Sequence, residues 1–206
     1  VSVLPPPDEV TPTLRVAGAC NAVKRLPVGR LVGDQFDGAG FVRGMQRKGV
    51  DLRTTRALVV GSGGVGCAIS ASLAQAGVAE LALFDVNADS ASALADRLRK
   101  EYPQLPVSTG SADPHDFRLV VNATPLGMNA SDPLPFDVDR LQPGTMVGEV
   151  VMRSETTALL AAAQARGCRV QVGTDMLFEM IPAYLEFFGL PTTTAERLRS
   201  LARLQY

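Results

Sequence analysis

The 206-residue sequence has a single histidine, three cysteines, no tryptophan and no excess of either charge, with 20 Lys+Arg against 21 Asp+Glu and a formal net charge of −1. Each scarcity removes a class of function. With His115 alone, a multi-histidine metal site is excluded, and a histidine-based triad would rest on one residue in a turn rich in Pro and Asp, which reads as a solvated loop residue. Cys20, Cys67 and Cys168 are far apart, odd in number and without a C-x-x-C pair, so neither a disulfide framework nor a zinc site is indicated and a reducing cytoplasm fits. The balanced charge provides no basic field, which argues against nucleic acid and acidic membrane surfaces as partners. No apolar run approaches the roughly 20 residues that cross a bilayer. The start, with Pro5, Pro6, Pro7 and Asp8, lacks a basic stretch followed by an apolar core, so no export signal is read there.

What is present is a core-forming composition, 46% hydrophobic, enough for one large or two small domains. Residues 1–50 are rich in Gly and Pro and read as fragments of strand and turn around Val16–Val23 and Leu31–Val32, followed by a helix from about Gly38 to Gly49. After a polar link at 51–55, short apolar runs alternate with longer amphipathic stretches, the pattern of βαβ units. Strands are predicted at 57–60, 80–84, 105–108, 117–122, 145–151 and 169–172, with helices at 64–76, 89–101 and 154–166 between them. A longer amphipathic helix is expected from Gly173 to Gly189, and a last one over 193–204, capped by Thr193 or Thr194. The fold class is α/β: a Rossmann-type doubly wound parallel sheet with a second, smaller α/β domain.

The strongest motif is Gly61-Ser-Gly-Gly-Val-Gly66, a G-x-G-x-x-G run directly after a predicted strand and opening a predicted helix. Gly61 allows a tight turn, Gly63 lets the backbone approach a pyrophosphate, Gly66 permits close helix–sheet packing, and the free N–H groups around Gly64 and Val65 face the anion. A glycine turn without a ligand would use the same residues. Asp85, 19 positions after Gly66, ends the next strand, where a carboxylate accepts from ribose hydroxyls and repels a 2′-phosphate. Val86 and Asn87 follow it, with no Arg or Lys to pair with that phosphate, so NAD is favoured over NADP. Capping a turn is the other role open to Asp85.

A second motif, Val121-Asn-Ala-Thr-Pro-Leu-Gly-Met128, closes the fourth strand at the switch point of such a sheet and brings Asn122, Ala123 and Thr124 to the cofactor crevice. Together with Gly18-Ala-Cys-Asn-Ala22, Gly33-Asp-Gln-Phe-Asp-Gly-Ala-Gly-Phe41 and Gly173-Thr-Asp-Met-Leu177, its order and spacing resemble the shikimate/quinate dehydrogenase family across almost the whole chain. The resemblance implies hydride transfer between a nicotinamide cofactor and a ring hydroxyl of shikimate, quinate or a related cyclic hydroxy acid. It implies Asn21 as a substrate ligand and Asp37 as the catalytic aspartate, also touching substrate. Cofactor contacts are expected from Gly61, Gly63, Gly64, Val65, Gly66, Asp85, Val86, Ala123, Thr124, Val150, Gly173 and Met176.

The sequence departs from the family pattern at points that matter. The family's aspartate works with a lysine from a V-T-x-P-H-K type segment; here Val1-Ser-Val3 leads straight into Leu4-Pro-Pro-Pro7, and the first lysine is Lys24. Met152 and Ser154 stand where a tyrosine and a proline are expected, Gln35 and Phe36 precede the aspartate in place of Asn-Thr, and Met180 replaces a substrate-binding glutamine. Thioether sulfur is a weak acceptor, so Met180 either lines the substrate pocket or packs in the core. Asp37 could equally close an Asx turn. Asn129-Ala-Ser131 has the form of a glycosylation acceptor, without meaning in an unexported protein.

The expected organisation is a substrate-domain remnant at 1–50, a dinucleotide-binding domain at 51–189 and a terminal helix at 190–206 returning to the first unit. The front piece is small for a substrate domain, and the natural protein is expected to carry a further N-terminal portion with the lysine segment. The reading is thus a divergent paralogue, an NAD-preferring cytoplasmic oxidoreductase, monomeric or homodimeric. The alternative is an NAD-binding sensor or decayed paralogue without dehydrogenase activity.

Overall fold

The computed structural model describes residues 10–27 and 29–204. The Val1–Val3 and Pro5–Pro7 segments weighed above lie outside them.

The chain begins with α1 (Pro12–Ala17), the hairpin β1 (Ala22–Arg25) and β2 (Leu31–Asp34), and α2 (Phe36–Arg47). Six parallel strands follow: β3 (Arg56–Val60), β4 (Glu80–Phe84), β5 (Val107–Thr109), β6 (Leu119–Asn122), β7 (Met146–Glu149) and β8 (Arg169–Gln171). The connecting helices are α3 (Gly64–Gln75), α4 (Ala88–Glu101) and α5 (Ala158–Ala165), and the chain closes with α6 (Gly173–Phe187) and α7 (Ala195–Leu201). The strand order β5-β4-β3-β6-β7-β8 is that of a doubly wound sheet, with its switch point between β3 and β6.

All six strands occur where the alternation of apolar runs placed them. They are apolar on both faces because both faces are covered. Ala57, Val59, Leu81, Leu83, Leu119 and Val121 point to the layer that holds Phe41, Met45 and Ile69, while Leu58, Val60, Ala82, Val120 and Val147 point to Phe136, Leu159 and Leu160. Successive residues part in this way because a strand has a side-chain period of two.

The front of the chain needs a correction, since 12–17 is a helix and not a strand fragment. Thr11 Oγ1 accepts from Leu14 N at 3.2 Å, Pro12 occupies the first turn, and Gly18 takes φ 72° to end it. Six residues are too few for helical periodicity to show, and the helix stands by docking: Val16 is fully buried, Arg97 donates to the Val16 carbonyl at 2.7 Å, and Arg15 pairs with Glu101. The link at 51–55 carries one 3-10 turn with a buried Leu52. Helix α2 starts at Phe36, capped by the Gln35 side chain, and α5 starts at 158, capped by Thr157. Strand β7 ends at Glu149, so Val150 and Val151 leave the sheet.

Helix α2 runs between α3 and α6 on a face of small residues. A Cβ on Gly38 would lie 2.0 Å from the Ala68 carbonyl oxygen, and one on Gly40 2.6 Å from that of Met176. Helix α7 lies on α6, where Arg199 pairs with Asp175 and Glu179, and Glu196 pairs with Arg47 of α2. A third apolar cluster joins Ala22, Phe36 and Ala183 with Met180, Tyr184 and Phe187, tying the hairpin to α2 and α6. Among the described residues no helix is long and apolar enough to cross a membrane, and no group of His, Cys, Asp and Glu could hold a metal. The three cysteines are unpaired.

Candidate active site

The glycine run forms the turn between β3 and α3. Gly61 has φ 105°, and a Cβ there would come within 2.8 Å of the Ala123 backbone; on Gly66 it would lie 1.9 Å from the Gly61 carbonyl oxygen. These two positions therefore require glycine for backbone packing alone. Gly63 and Gly64 differ: nothing lies within 4 Å of a Cβ on either, so they border open space. Gly63 caps α3 without a side-chain hydrogen bond, and the first intrahelical bond is Cys67 N to the Gly63 carbonyl. The N–H groups of Gly64, Val65 and Gly66 therefore precede the helical ladder, and the buried Ser62 hydroxyl beside them has no partner among the described residues. An open cradle with spare donors at a helix N-terminus fits a pyrophosphate.

Asp85 closes the opposite edge of this turn. Its carboxylate accepts from Ser62 N at 2.6 Å and Asn87 N at 2.9 Å, so it does fix the local turns. Two bonds leave about half of the acceptor sites of an ionised carboxylate for a ligand. Asp85 is half-buried, and Val86 next to it is 97% exposed.

Across the switch point, the buried Asn122 side chain shapes the turn at the end of β6. Its oxygen accepts from Thr124 N at 3.1 Å and Thr124 Oγ1 at 2.6 Å, and its nitrogen donates to the Leu126 carbonyl at 3.0 Å. The resulting turn packs Ala123 and Thr124 against Gly61. Beyond it, a cavity of about 400 Å³ is walled by Leu126, Gly127 and the following loop on one side and by Arg153 and Thr157 on the other.

Asn21 and Asp37 lie side by side at the start of α2. Asn21 Oδ1 accepts from Phe36 N at 3.0 Å, and the Asn21 side chain is the hydrogen-bonding partner of the Asp37 carboxyl. Burial pushes the Asp37 proton affinity up, and Asn21 partly offsets the shift. The buried Gln35 side chain accepts from Asp37 N at 3.0 Å, which fixes the start of α2. Tyr184 of α6 was not anticipated: its phenol is pushed up by burial and by the Asp37 charge, and its ring packs 4.7 Å from Phe36. Its helical spacing from Met180 was visible, but not the hairpin it would face.

No cation is among the groups that set the Asp37 proton affinity. Lys24 donates from Nζ to the Phe187 carbonyl and lies over the Phe187 ring at 4.5 Å, Lys48 pairs with Asp175 at 3.0 Å, and Lys100 is exposed on α4. Met180 contacts the Phe36 cluster and the Gly40 backbone, Met176 is buried in the main core, and Gly173 abuts the backbone of Val150 and Val151. Glu149, at the end of β7, is fully buried with a raised proton affinity and was missed altogether. The available sign was an acid inside the apolar run 145–151.

A family model described as ThiF family matches residues 41–95, the stretch from α2 through the glycine turn and Asp85. A quinate/shikimate dehydrogenase (NAD(+)) of Corynebacterium efficiens is 37% identical over 205 residues, 97% of this chain and 72% of that protein. The chain belongs to the shikimate/quinate dehydrogenase family. A shikimate dehydrogenase (NADP(+)) of Acidiphilium cryptum is 36% identical, over 93% of this chain and 68% of its own length. The solved structure of quinate dehydrogenase from Corynebacterium glutamicum in complex with NAD superposes with a TM-score of 0.84 at 35% identity, covering 97% of this chain and 72% of that one. As a member of this family the protein has relatives of both cofactor types. Its Rossmann half and its Asn21–Asp37 pair now sit on one fold.

Proposed function

We propose that the protein is an NAD-preferring dehydrogenase of shikimate, quinate or a related cyclic hydroxy acid. The observation that carries the cofactor choice is Asp85, a carboxylate with free acceptor sites beside an open glycine cradle and with exposed, uncharged Val86 next to it. Asp85 accepts from the adenosine ribose hydroxyls, and its charge disfavours a 2′-phosphate. Gly61, Gly63, Gly64, Val65 and Gly66 hold the pyrophosphate. Ala123, Thr124, Val150, Gly173 and Met176 border the nicotinamide half. Residues 51–189 form the cofactor unit, and 1–50 with the terminal segment 190–206 contribute to the substrate side.

Bound nicotinamide supplies the hydride acceptor or donor. On the protein side, Asn21 hydrogen-bonds a ring hydroxyl. In the oxidation direction the Asp37 carboxylate takes the proton of the reacting hydroxyl as the carbon–hydrogen bond gives up its electron pair, and in reduction it returns that proton. Partial burial matches this role, because it moves the carboxyl towards the pH at which the reaction runs. Met180 and Tyr184 form the apolar flank of the ring site. The protein acts on a small molecule, as monomer or homodimer, in the cytoplasm, where its three unpaired cysteines would stay reduced.

The test mixes protein with shikimate or quinate and NAD or NADP and follows the absorbance of reduced nicotinamide. Turnover with NAD ahead of NADP is expected. No turnover with either acid would remove the substrate assignment, and NAD binding without turnover would leave a nucleotide-binding module. Asp85→Ala is expected to weaken NAD about tenfold, the value of a charge-assisted hydrogen bond, and NADP less. An unchanged preference would exclude the role given to Asp85.

A further inference from the structure

Glu149 has no assigned role, yet it is the one charged side chain at full burial among the described residues. It ends β7 in register with Asn122 of β6. Neither carboxyl oxygen makes a hydrogen bond of standard geometry. Burial raises its proton affinity, and the groups that oppose this are the side chains of Thr157 and Asn122. Both have a donor to offer. Asn122 uses its nitrogen once, on the Leu126 carbonyl, which leaves a second N–H. Thr157 Oγ1 accepts from Leu160 N as the cap of α5, which leaves its O–H.

The two neighbours belong to opposite walls of one cavity. Asn122 fixes the turn that carries Leu126, and Thr157 fixes the start of α5; Leu126 and Thr157 both line the cavity of about 400 Å³ beside the switch point. The turn also packs on Gly61, so its position sets the gap between the glycine cradle and the far side of the crevice.

We infer that Glu149 is a positioning residue for the nicotinamide half of the cofactor, acting through Asn122 on the turn 123–126 and through Thr157 on the first turn of α5. The inference rests on the dinucleotide reading of the crevice. It differs from a plain stability role in a definite way: Asp85, which holds the adenosine end, bonds Ser62 and Asn87 and not the Asn122 turn, while Ala123 and Thr124 of that turn border the nicotinamide end.

Calorimetric titration of the protein with NAD and with AMP separates these. Glu149→Met keeps the length of the side chain but leaves two buried donors unanswered, and is expected to weaken NAD about tenfold while AMP affinity stays within about twofold. Glu149→Gln keeps an acceptor and is expected to hold NAD within about threefold of the unaltered protein. Thr157→Val, a near-isosteric change on the helix side of the pair, provides a second arm if Glu149→Met does not fold, with NAD weakened several-fold and AMP unchanged. NAD affinity unaltered in both Glu149→Met and Thr157→Val, or NAD and AMP falling together, would overturn the inference. Failure of the unaltered protein to bind NAD would overturn the dinucleotide reading and the inference with it.

Discussion

Asp37 is pulled two ways: partial burial raises its proton affinity and the Asn21 side chain lowers it, with burial the larger effect. A carboxyl raised in the folded state binds its proton more tightly there than in the unfolded chain. Its contribution to stability is therefore present below the ordinary value of 3.8 and is lost as pH rises through the folded value. Ionised Asp37 costs the fold something at neutral pH, the condition in which it can accept a proton. Asp37→Asn is expected to lower turnover by about a hundredfold or more, as loss of a general base does, while melting at or above the temperature of the unaltered protein at pH 7. Thermal melts and initial rates on the same preparations check this, and a variant that loses stability but keeps turnover would remove Asp37 from the reaction. The acid limb of the rate profile is likewise expected above the ordinary aspartate range, and absent in the variant.

At the scale of elements, the contact of α2 with its neighbours depends on missing side chains. Gly38 and Gly40 let the α2 backbone approach Ala68 and Met176 so closely that an added Cβ would lie 2.0 Å and 2.6 Å from their carbonyl oxygens. The helix that starts with the Asp37 turn is thus set against the helix that starts at the glycine cradle and against the one that carries Met180 and Tyr184. Gly38→Ala gains about 1 kcal/mol of helix propensity, but the overlap with a carbonyl oxygen at 2.0 Å dominates. A net loss of about 2–3 kcal/mol is expected from the cost of overpacking, measured as a lower midpoint in urea at unchanged slope. A smaller loss would mean that α2 and α3 slide apart without penalty. These glycines were legible as letters but not as a packing face. Six parallel strands were legible because each is a short apolar run with turn residues at its ends. Helix α1 was not, since six residues show less than two turns of periodicity and its stability comes from α3 and α4.

For the whole molecule, the crevice lies between groups far apart in sequence: the glycine turn, Asp85, the Asn122 turn and the Asn21–Asp37 pair. A ligand that binds only the folded chain raises its stability by mass action, about 2.7 kcal/mol at a hundredfold excess over Kd. For about 200 residues this corresponds to a rise in Tm of about 5–10 °C with NAD, and a smaller one with NADP at equal concentration. Equal shifts would count against the NAD preference, and no shift against a nucleotide site.

A doubly wound sheet, the glycine cradle with its acid and the family resemblance were readable from local spacing and from the connection rule that parallel sheets obey. Packing is what engages Lys24 with the end of α6, brings Tyr184 near Asp37 and seals Glu149 beside Asn122 and Thr157. Each of these is a meeting of side chains from distant segments. Burial and hydrogen-bond partnership at such a meeting are properties of the packed chain and leave no period in the sequence to be read.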